Sequence, residues 1–137
     1  MDALTSNIGH LVGTGLLNLE EEWRVARHVA SPALDSGFGL RTMSTDDAAY
    51  APLSYHCGSV WPHDTALTAG GLSRYGFRDE AERVRHALYD LAATQPDNRL
   101  PELVAGYERS DAPPVPYPVA CRPQAWDAAA LLYLLTL

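Results

Sequence analysis

Helical segments that alternate between neutral and charged composition constrain the fold of this chain more than any other feature. The predicted helices span about 8–17, 19–30, 62–75, 79–94 and 123–137. The first, third and fifth are nearly free of charge, whereas the second and fourth carry charged residues on one face. Alternation of this kind is typical of stacked helical hairpins, in which neutral inner helices are buried and charged outer helices face water. The sequence therefore predicts an all-α fold, with only 38–43 able to form a short extended piece.

The two charged helices each have one predicted apolar face. In the second helix this face consists of Leu19, Trp23, Ala26 and Ala30. In the fourth helix it consists of Ala81, Val84, Leu88 and Leu91. Charged side chains occupy the opposite faces, so both are expected to be amphipathic outer helices.

Two long connections, about 31–61 and 95–122, each lead from an outer helix into an inner one, whereas the other links are short. Long structureless connections are uncommon in compact domains and usually functional. Because both lead into the N-terminal ends of inner helices, they are expected on the same face of the stack. A functional site is predicted on that face.

The first long connection ends in the segment SYHCGSVWPHD at 54–64. The segment holds Tyr55, His56, Trp61, His63 and Asp64. Proline suits the first turn of a helix, so this polar and aromatic cluster falls at a helix N-terminus, where backbone N–H groups point outward. Such side chains can bind a polyhydroxylated ligand. Alternatively, Trp61 is a core anchor and Asp64 is a charge that complements the helix dipole.

The second long connection contains Glu102 within the apolar sequence LPEL. An apolar setting raises a carboxyl pKa and tunes the group for proton transfer, and we expect this for Glu102. Prolines at 101, 113, 114, 116, 118 and 123 stiffen the connection. Gln124 and Trp126 open the last helix and add an amide and an aromatic face. Alternatively, Glu102 is an exposed loop charge and the prolines only close one end of the fold.

Composition narrows the function classes further. A chain of 137 residues suffices for one domain, and a net charge of −7 argues against nucleic acid or an anionic membrane as partner. Cys57 and Cys121 cannot form a disulfide framework and have no metal-ligand spacing, so no metal or cofactor is predicted. No apolar run reaches membrane-spanning length, which makes the cytoplasm the expected location.

Three segments carry a family resemblance: SYHCGSVWPHD, LPEL and PVPYPVACRPQAW, with GFGLRTMS at 37–44 and AYAP at 49–52 beside them. In this order and spacing they resemble the C-terminal part of bacterial amylo-alpha-1,6-glucosidases, which are glycogen-debranching-type proteins. The resemblance extends from about residue 7 onward. It implies that residues 1–137 are the C-terminal segment of an α/α-barrel glycosidase domain. About five of the twelve helices of a six-hairpin barrel would be present, with long loops on one face.

The same resemblance implies roles for individual residues. Glu102 corresponds to the general base of an inverting hydrolase that acts on α-glucosides. The sugar pocket would be lined by Trp61, His63, Asp64, Gln124 and Trp126, with Arg41, Tyr55 and His56 as additional contacts. Inversion needs a second carboxyl group as general acid. The family's acid would lie upstream of Met1, and the local candidates are Asp46, Asp47 and Asp64.

The leading prediction is therefore a hydrolase segment whose partner is an α-glucan or oligosaccharide. A non-catalytic carbohydrate-binding or assembly module is one alternative. A sugar epimerase or isomerase that uses His56 or His63 as acid and base is another. Inner helices need neighbours on both sides, so the chain is also expected to expose apolar surface. That surface would associate with a missing N-terminal part or with a second copy.

Overall fold

The computed structural model describes residues 2–137, and its helices confirm the all-α prediction. The helices are a 3-10 helix, Ser6–Leu11, followed by α1, Leu19–Val29; α2, Pro62–Arg74; α3, Arg78–Ala93; and α4, Ala125–Leu134. The four α-helices differ from the predicted spans only at their ends. The described helices do not close into a barrel, so the fold is a partial one.

The first predicted helix, 8–17, is wrong in type and extent. Only a 3-10 helix forms, and it ends at Leu11. Gly13 and Gly15 follow with φ angles of 84° and 78°. These left-handed conformations cannot continue a right-handed helix, and glycine adopts them without steric cost.

Helix α2 lies at the centre of the fold and packs against the 3-10 helix, α3 and α4. Its close approach to α4 depends on Gly70, because a Cβ atom there would lie 1.8 Å from the hydroxyl oxygen of Tyr133. The backbone N–H of His63, at the start of α2, donates to Asp127, in the first turn of α4. Contacts at matching positions along both helices show that α2 and α4 run parallel and side by side.

The buried face of α1 differs from the prediction. Ala26 is buried as expected, but Leu19 and Trp23 are exposed. Glu22 and Val29 complete the buried face instead, and the Glu22 carboxylate accepts the backbone N–H of Gly13. The charged side chain of Glu22 can therefore face the core, because the backbone N–H of Gly13 donates a hydrogen bond to it. The predicted face of α3 is confirmed, since Ala81, Val84, Leu88 and Leu91 are all buried.

Isolated antiparallel bridges join the two long connections. Val60 pairs with both Arg41 and Val104, and Val104 pairs in turn with Pro116. The predicted extended piece at 38–43 contributes to this pairing only through single bridges. A Cβ atom on Gly106 would lie 1.8 Å from the carbonyl oxygen of Gly58, so glycine is needed where the connections cross. Both connections are therefore held at the same end of the helices, as predicted.

Helix α4 leaves apolar side chains uncovered on its outer face. Leu132 and the C-cap residue Leu135 are 67% and 71% exposed. Across residues 2–137, no helix has the length and apolar character that crossing a membrane requires.

Candidate functional site

An open cleft of about 350 Å³ lies where the first long connection and the 3-10 helix meet the starts of α2 and α4. It is lined by Ser6, Asn7, Thr42, Tyr55, His56, Trp61, His63, Asp64 and Trp126. Five of these residues come from the segment at 54–64, and Trp126 comes from the start of α4. The parallel arrangement of α2 and α4 brings the two helix starts together, and with them these side chains.

Aromatic rings form the wall of this cleft. The rings of His63 and Trp126 are stacked, with centroids 4.2 Å apart and an interplanar angle of 14°. Trp61 lies edge-on to Tyr55 at 4.7 Å and to Trp126 at 6.3 Å. His56 is parallel to Trp61 at 5.8 Å. The indole N–H of Trp61 donates to the carbonyl oxygen of Tyr55, which fixes the ring. Rings fixed in this way provide flat apolar surfaces with polar edges, on which a sugar ring can pack.

Glu102 lies directly behind this wall and is 93% buried. The hydroxyl group of Tyr55 donates to Oε1 over 2.7 Å, and the backbone N–H of Cys121 donates to Oε2 over 2.9 Å. These bonds, above all that from Cys121, lower the pKa of Glu102. The predicted rise in its pKa is wrong, because these donors stabilise the charged form more than burial disfavours it. Glu102 is thus an ionised carboxylate at neutral pH.

Tyr55 is the link between Glu102 and the cleft. Its hydrogen bond to the carboxylate raises the pKa of Tyr55 to about 12, so the phenol keeps its proton. Its ring lines the cleft while its hydroxyl group faces Glu102. The Tyr55 side chain therefore contacts both the cleft, through its ring, and the buried Glu102 carboxylate, through its hydroxyl group.

Asp64 is the one carboxylate that lines the cleft among the described residues. Its Oδ1 is hydrogen-bonded to Nε2 of His10, and this bond raises the pKa of His10. Its Oδ2 is buried and has no hydrogen-bond partner, and the same holds for the hydroxyl group of Ser6. Buried polar atoms without partners are costly, and both residues line a cleft in which a ligand could supply hydrogen bonds.

A second buried carboxyl group lies beside the aromatic wall. Asp127 is fully buried, and this burial raises its pKa to about 7. Its Oδ1 accepts the backbone N–H of His63 over 3.0 Å, while Oδ2 has no partner. Burial also lowers the pKa of His63, so its imidazole is neutral at pH 7.

Arg41 and Gln124, two of the predicted contacts, do not reach this cleft. The Arg41 guanidinium is buried and donates to the carbonyl oxygens of Pro32, Asp35 and Gly106, besides pairing with Glu108. Gln124 is the N-cap of α4 and accepts from the N–H of the next residue.

The two remaining local candidates for the general acid also lie elsewhere. Asp46 lines a separate hollow that contains His28. Asp47 accepts the backbone N–H of Ala49, which completes a local turn. Within residues 2–137, no group of three or more His, Cys, Asp or Glu side chains is arranged to hold a metal ion.

Sequence reasoning missed several residues of the site: Ser6, Asn7, His10, Thr42, Cys121 and Asp127. Asp127 had a readable signal, because it is the only charged residue in an otherwise neutral helix. The backbone donor of Cys121 had none, since a backbone N–H is present at every residue except proline.

Most of the chain matches one known protein family. The family model described as "Mannosylglycerate hydrolase MGH1-like glycoside hydrolase domain" matches residues 13–108. The match includes the segment at 54–64 and Glu102, and it ends before α4. No curated protein matches the chain with significance.

Proposed function

Because the chain belongs to the MGH1-like glycoside hydrolase family, we propose that its cleft binds an α-glucan and serves hydrolysis of α-glucosidic bonds, as in debranching-type enzymes. Glu102 would act as the general base that deprotonates the attacking water, with inversion at the anomeric carbon. The match to the glycoside hydrolase family supports the reaction class. The finer activity rests on the debranching-type resemblance of the segments around the cleft.

The observation that carries the proposal is an ionised carboxylate directly behind an aromatic cleft. A general base must be deprotonated at working pH, and the donors to Glu102 ensure this by lowering its pKa. Movement of the Tyr55 hydroxyl would free Oε1 for a water molecule. Trp61 and Trp126 would pack on sugar faces, and Asp64 would accept hydrogen bonds from sugar hydroxyl groups.

The charge of the cleft supports a neutral sugar as ligand. Asp64 lines the cleft and Glu102 lies behind it, whereas no arginine lines it among the described residues. Arg41, which the family resemblance implies as a sugar contact, donates instead to Glu108 and to three carbonyl groups. A ligand that carries a carboxylate, such as mannosylglycerate, would meet like charge without a compensating cation. Glucan hydroxyl groups would instead find acceptors.

One observation favours a second candidate, a carbohydrate-binding module without turnover. Each oxygen of Glu102 already accepts one hydrogen bond, from Tyr55 and from Cys121, so the carboxylate is held in place. Asp64, the cleft carboxylate that could act as general acid, is occupied by His10. In this reading, the chain presents the aromatic wall to a glucan and Glu102 only orients Tyr55.

The test is titration of the 137-residue chain with maltotriose and with mannosylglycerate, followed by tryptophan fluorescence. We expect maltotriose to bind and mannosylglycerate to bind more weakly. The same mixtures, followed by NMR of the anomeric protons, report hydrolysis and the anomer released. Glu102→Gln keeps the shape and removes the base, and Glu80→Gln on α3 is the matched control.

The outcomes separate the two candidates. If the wild type releases the inverted anomer, and if Glu102→Gln lowers the rate of this release by about 10²-fold or more, then this chain catalyses the hydrolysis. Binding of maltotriose without hydrolysis favours the module. Absence of binding to either sugar contradicts both.

A further inference from the structure

Asp127 is a buried carboxyl group that the proposed reaction does not use. It lies in the first turn of α4, is fully buried, and is the only charged residue of that helix. Burying a carboxyl group is costly unless its oxygens are hydrogen-bonded, so a first-turn charge that complements the helix dipole would be placed more favourably at the surface. Asp127 does not cap its own helix, because its Oδ1 accepts from His63 on α2 and its Oδ2 has no partner.

The hydrogen bond of Asp127 goes to the neighbouring helix. Its Oδ1 accepts the backbone N–H of His63, one of the first-turn donors of α2 that have no partner within the helix. The N-cap residue of α2 is Trp61, whose side chain cannot accept a hydrogen bond from these donors. Asp127 therefore supplies from α4 the acceptor that α2 lacks.

This bond fixes two rings of the cleft at once. The backbone of His63 is held by Asp127, and Trp126 is the residue immediately before Asp127 on α4. The two rings stack with centroids 4.2 Å apart. Both rings line the cleft on one side and an apolar groove between α2 and α4 on the other.

We propose that Asp127 is a positioning residue of the sugar site: it holds the starts of α2 and α4 together so that His63 and Trp126 form one rigid stacking surface. Asp127 does not touch the ligand. Its role in sugar binding rests on the function proposed above, whereas its role in fixing the ring stack does not.

The test compares Asp127→Ala with Asp127→Asn, which retains an oxygen acceptor of the same shape. Asp79→Ala is the matched control, because Asp79 also lies in a helical first turn but is exposed. The first readout is the NMR shift of the His63 ring protons, which stacking on Trp126 moves upfield. The second readout is the affinity for maltotriose, measured by tryptophan fluorescence.

We expect Asp127→Ala to lose the upfield shift and to bind maltotriose at least about tenfold more weakly. Asp127→Asn and Asp79→Ala should keep the shift and most of the affinity. A retained shift in Asp127→Ala, unchanged affinity in that variant, or an equal loss in Asp79→Ala would overturn the proposal. If the wild type binds no sugar, the proposed function fails, and the His63 shift alone decides whether Asp127 fixes the stack.

Should Asp127→Ala not fold, the wild type and Asp127→Asn still decide the question. The His63 amide must then exchange slowly with solvent, and a nuclear Overhauser effect must connect the rings of His63 and Trp126. Rapid exchange of this amide, or rings without that connection, would overturn the proposal.

Discussion

The hydroxyl group of Tyr55 donates a hydrogen bond of 2.7 Å to Oε1 of Glu102, across 47 positions of sequence. This bond joins the two long connections at the cleft and, after the bond from the Cys121 N–H, is the second contribution that lowers the pKa of the carboxyl group. Each partner changes the other: the pKa of Glu102 falls and that of Tyr55 rises to about 12.

Tyr55→Phe should therefore raise the pKa of Glu102. The phenylalanine ring preserves packing but removes the donor, so the charged carboxylate loses one of its two stabilising bonds. The bond from the Cys121 N–H remains and keeps part of the effect. Titration of the Glu102 carboxyl carbon by NMR measures the shift. Tyr117→Phe is the control, because Tyr117 contacts Tyr55 only through its ring; an unchanged Glu102 pKa in Tyr55→Phe would contradict the assignment.

Asp127 should make stability fall as pH rises. Its folded pKa of about 7 exceeds the ordinary value, so between about pH 4 and pH 7 the folded state holds a proton that the unfolded state has released. Stability from this group is complete below about pH 4 and is lost as pH rises through 7.

Asp127→Asn carries no titrating proton at this position. Relative to the wild type, its free energy of unfolding should rise by up to about 4 kcal/mol between pH 4 and pH 8, because the pKa difference of about three units corresponds to about 1.4 kcal/mol per unit. Urea denaturation measures this rise. Glu102 and His63 titrate nearby in both proteins, so the difference between them isolates Asp127. Curves that stay parallel across this range would show that Asp127 does not titrate as described.

Arg41→Ala should destabilise the fold by about 3 kcal/mol or more, because a buried guanidinium that donates to the carbonyl groups of three segments is lost together with its packing. Arg41→Lys should also lose most of this stability, since an ammonium group cannot reproduce the planar arrangement of donors. Glu108→Ala is the comparison: Glu108 is partly exposed, so its loss should cost about 1 kcal/mol. Chemical denaturation provides all three values. Equal losses in Arg41→Ala and Glu108→Ala would mean that the ion pair, and not the carbonyl contacts, holds this region.

The uncovered face of α4 should drive self-association. Leu132 and Leu135 are more than two-thirds exposed, and exposed apolar surface of this kind favours contact between copies. Replacing both by Gln should lower the association measured by sedimentation velocity while leaving the melting temperature nearly unchanged. A wild type that stays monomeric as its concentration is raised would contradict this prediction.

Local signals in the sequence predicted most of the helices. The apolar periodicity of α3 and the proline at the start of α2 are signals that span only one or two helical turns of sequence. Both helices form as expected. The first predicted helix is wrong because a segment with almost no charge need not be helical throughout, and Gly13 and Gly15 adopt left-handed conformations that end it. The buried face of α1 is wrong because Glu22 meets a backbone donor from outside its helix.

The site was predictable in its residue types but not in its hydrogen bonds. The segment at 54–64 places aromatic and acidic side chains at a helix start, and the cleft forms there. The low pKa of Glu102 depends on Tyr55 and Cys121, which lie 47 and 19 positions away. The family resemblance implies Arg41 as a sugar contact, yet hydrogen bonds to Gly106 and Glu108 hold its guanidinium between the two connections. Contacts between such distant positions leave no local pattern to read.

The bridges between Val60 and Val104, and from Val104 to Pro116, have a consequence for building chimaeras of this protein with its relatives. A crossover placed between residues 60 and 104 would pair one parent's first connection with the other parent's second. Gly58 and Gly106 would then come from different parents, although Gly106 is what leaves room for the backbone of Gly58. Residues 31–122 are therefore best exchanged as a single block, with crossovers at the ends of α1 and at the start of α4.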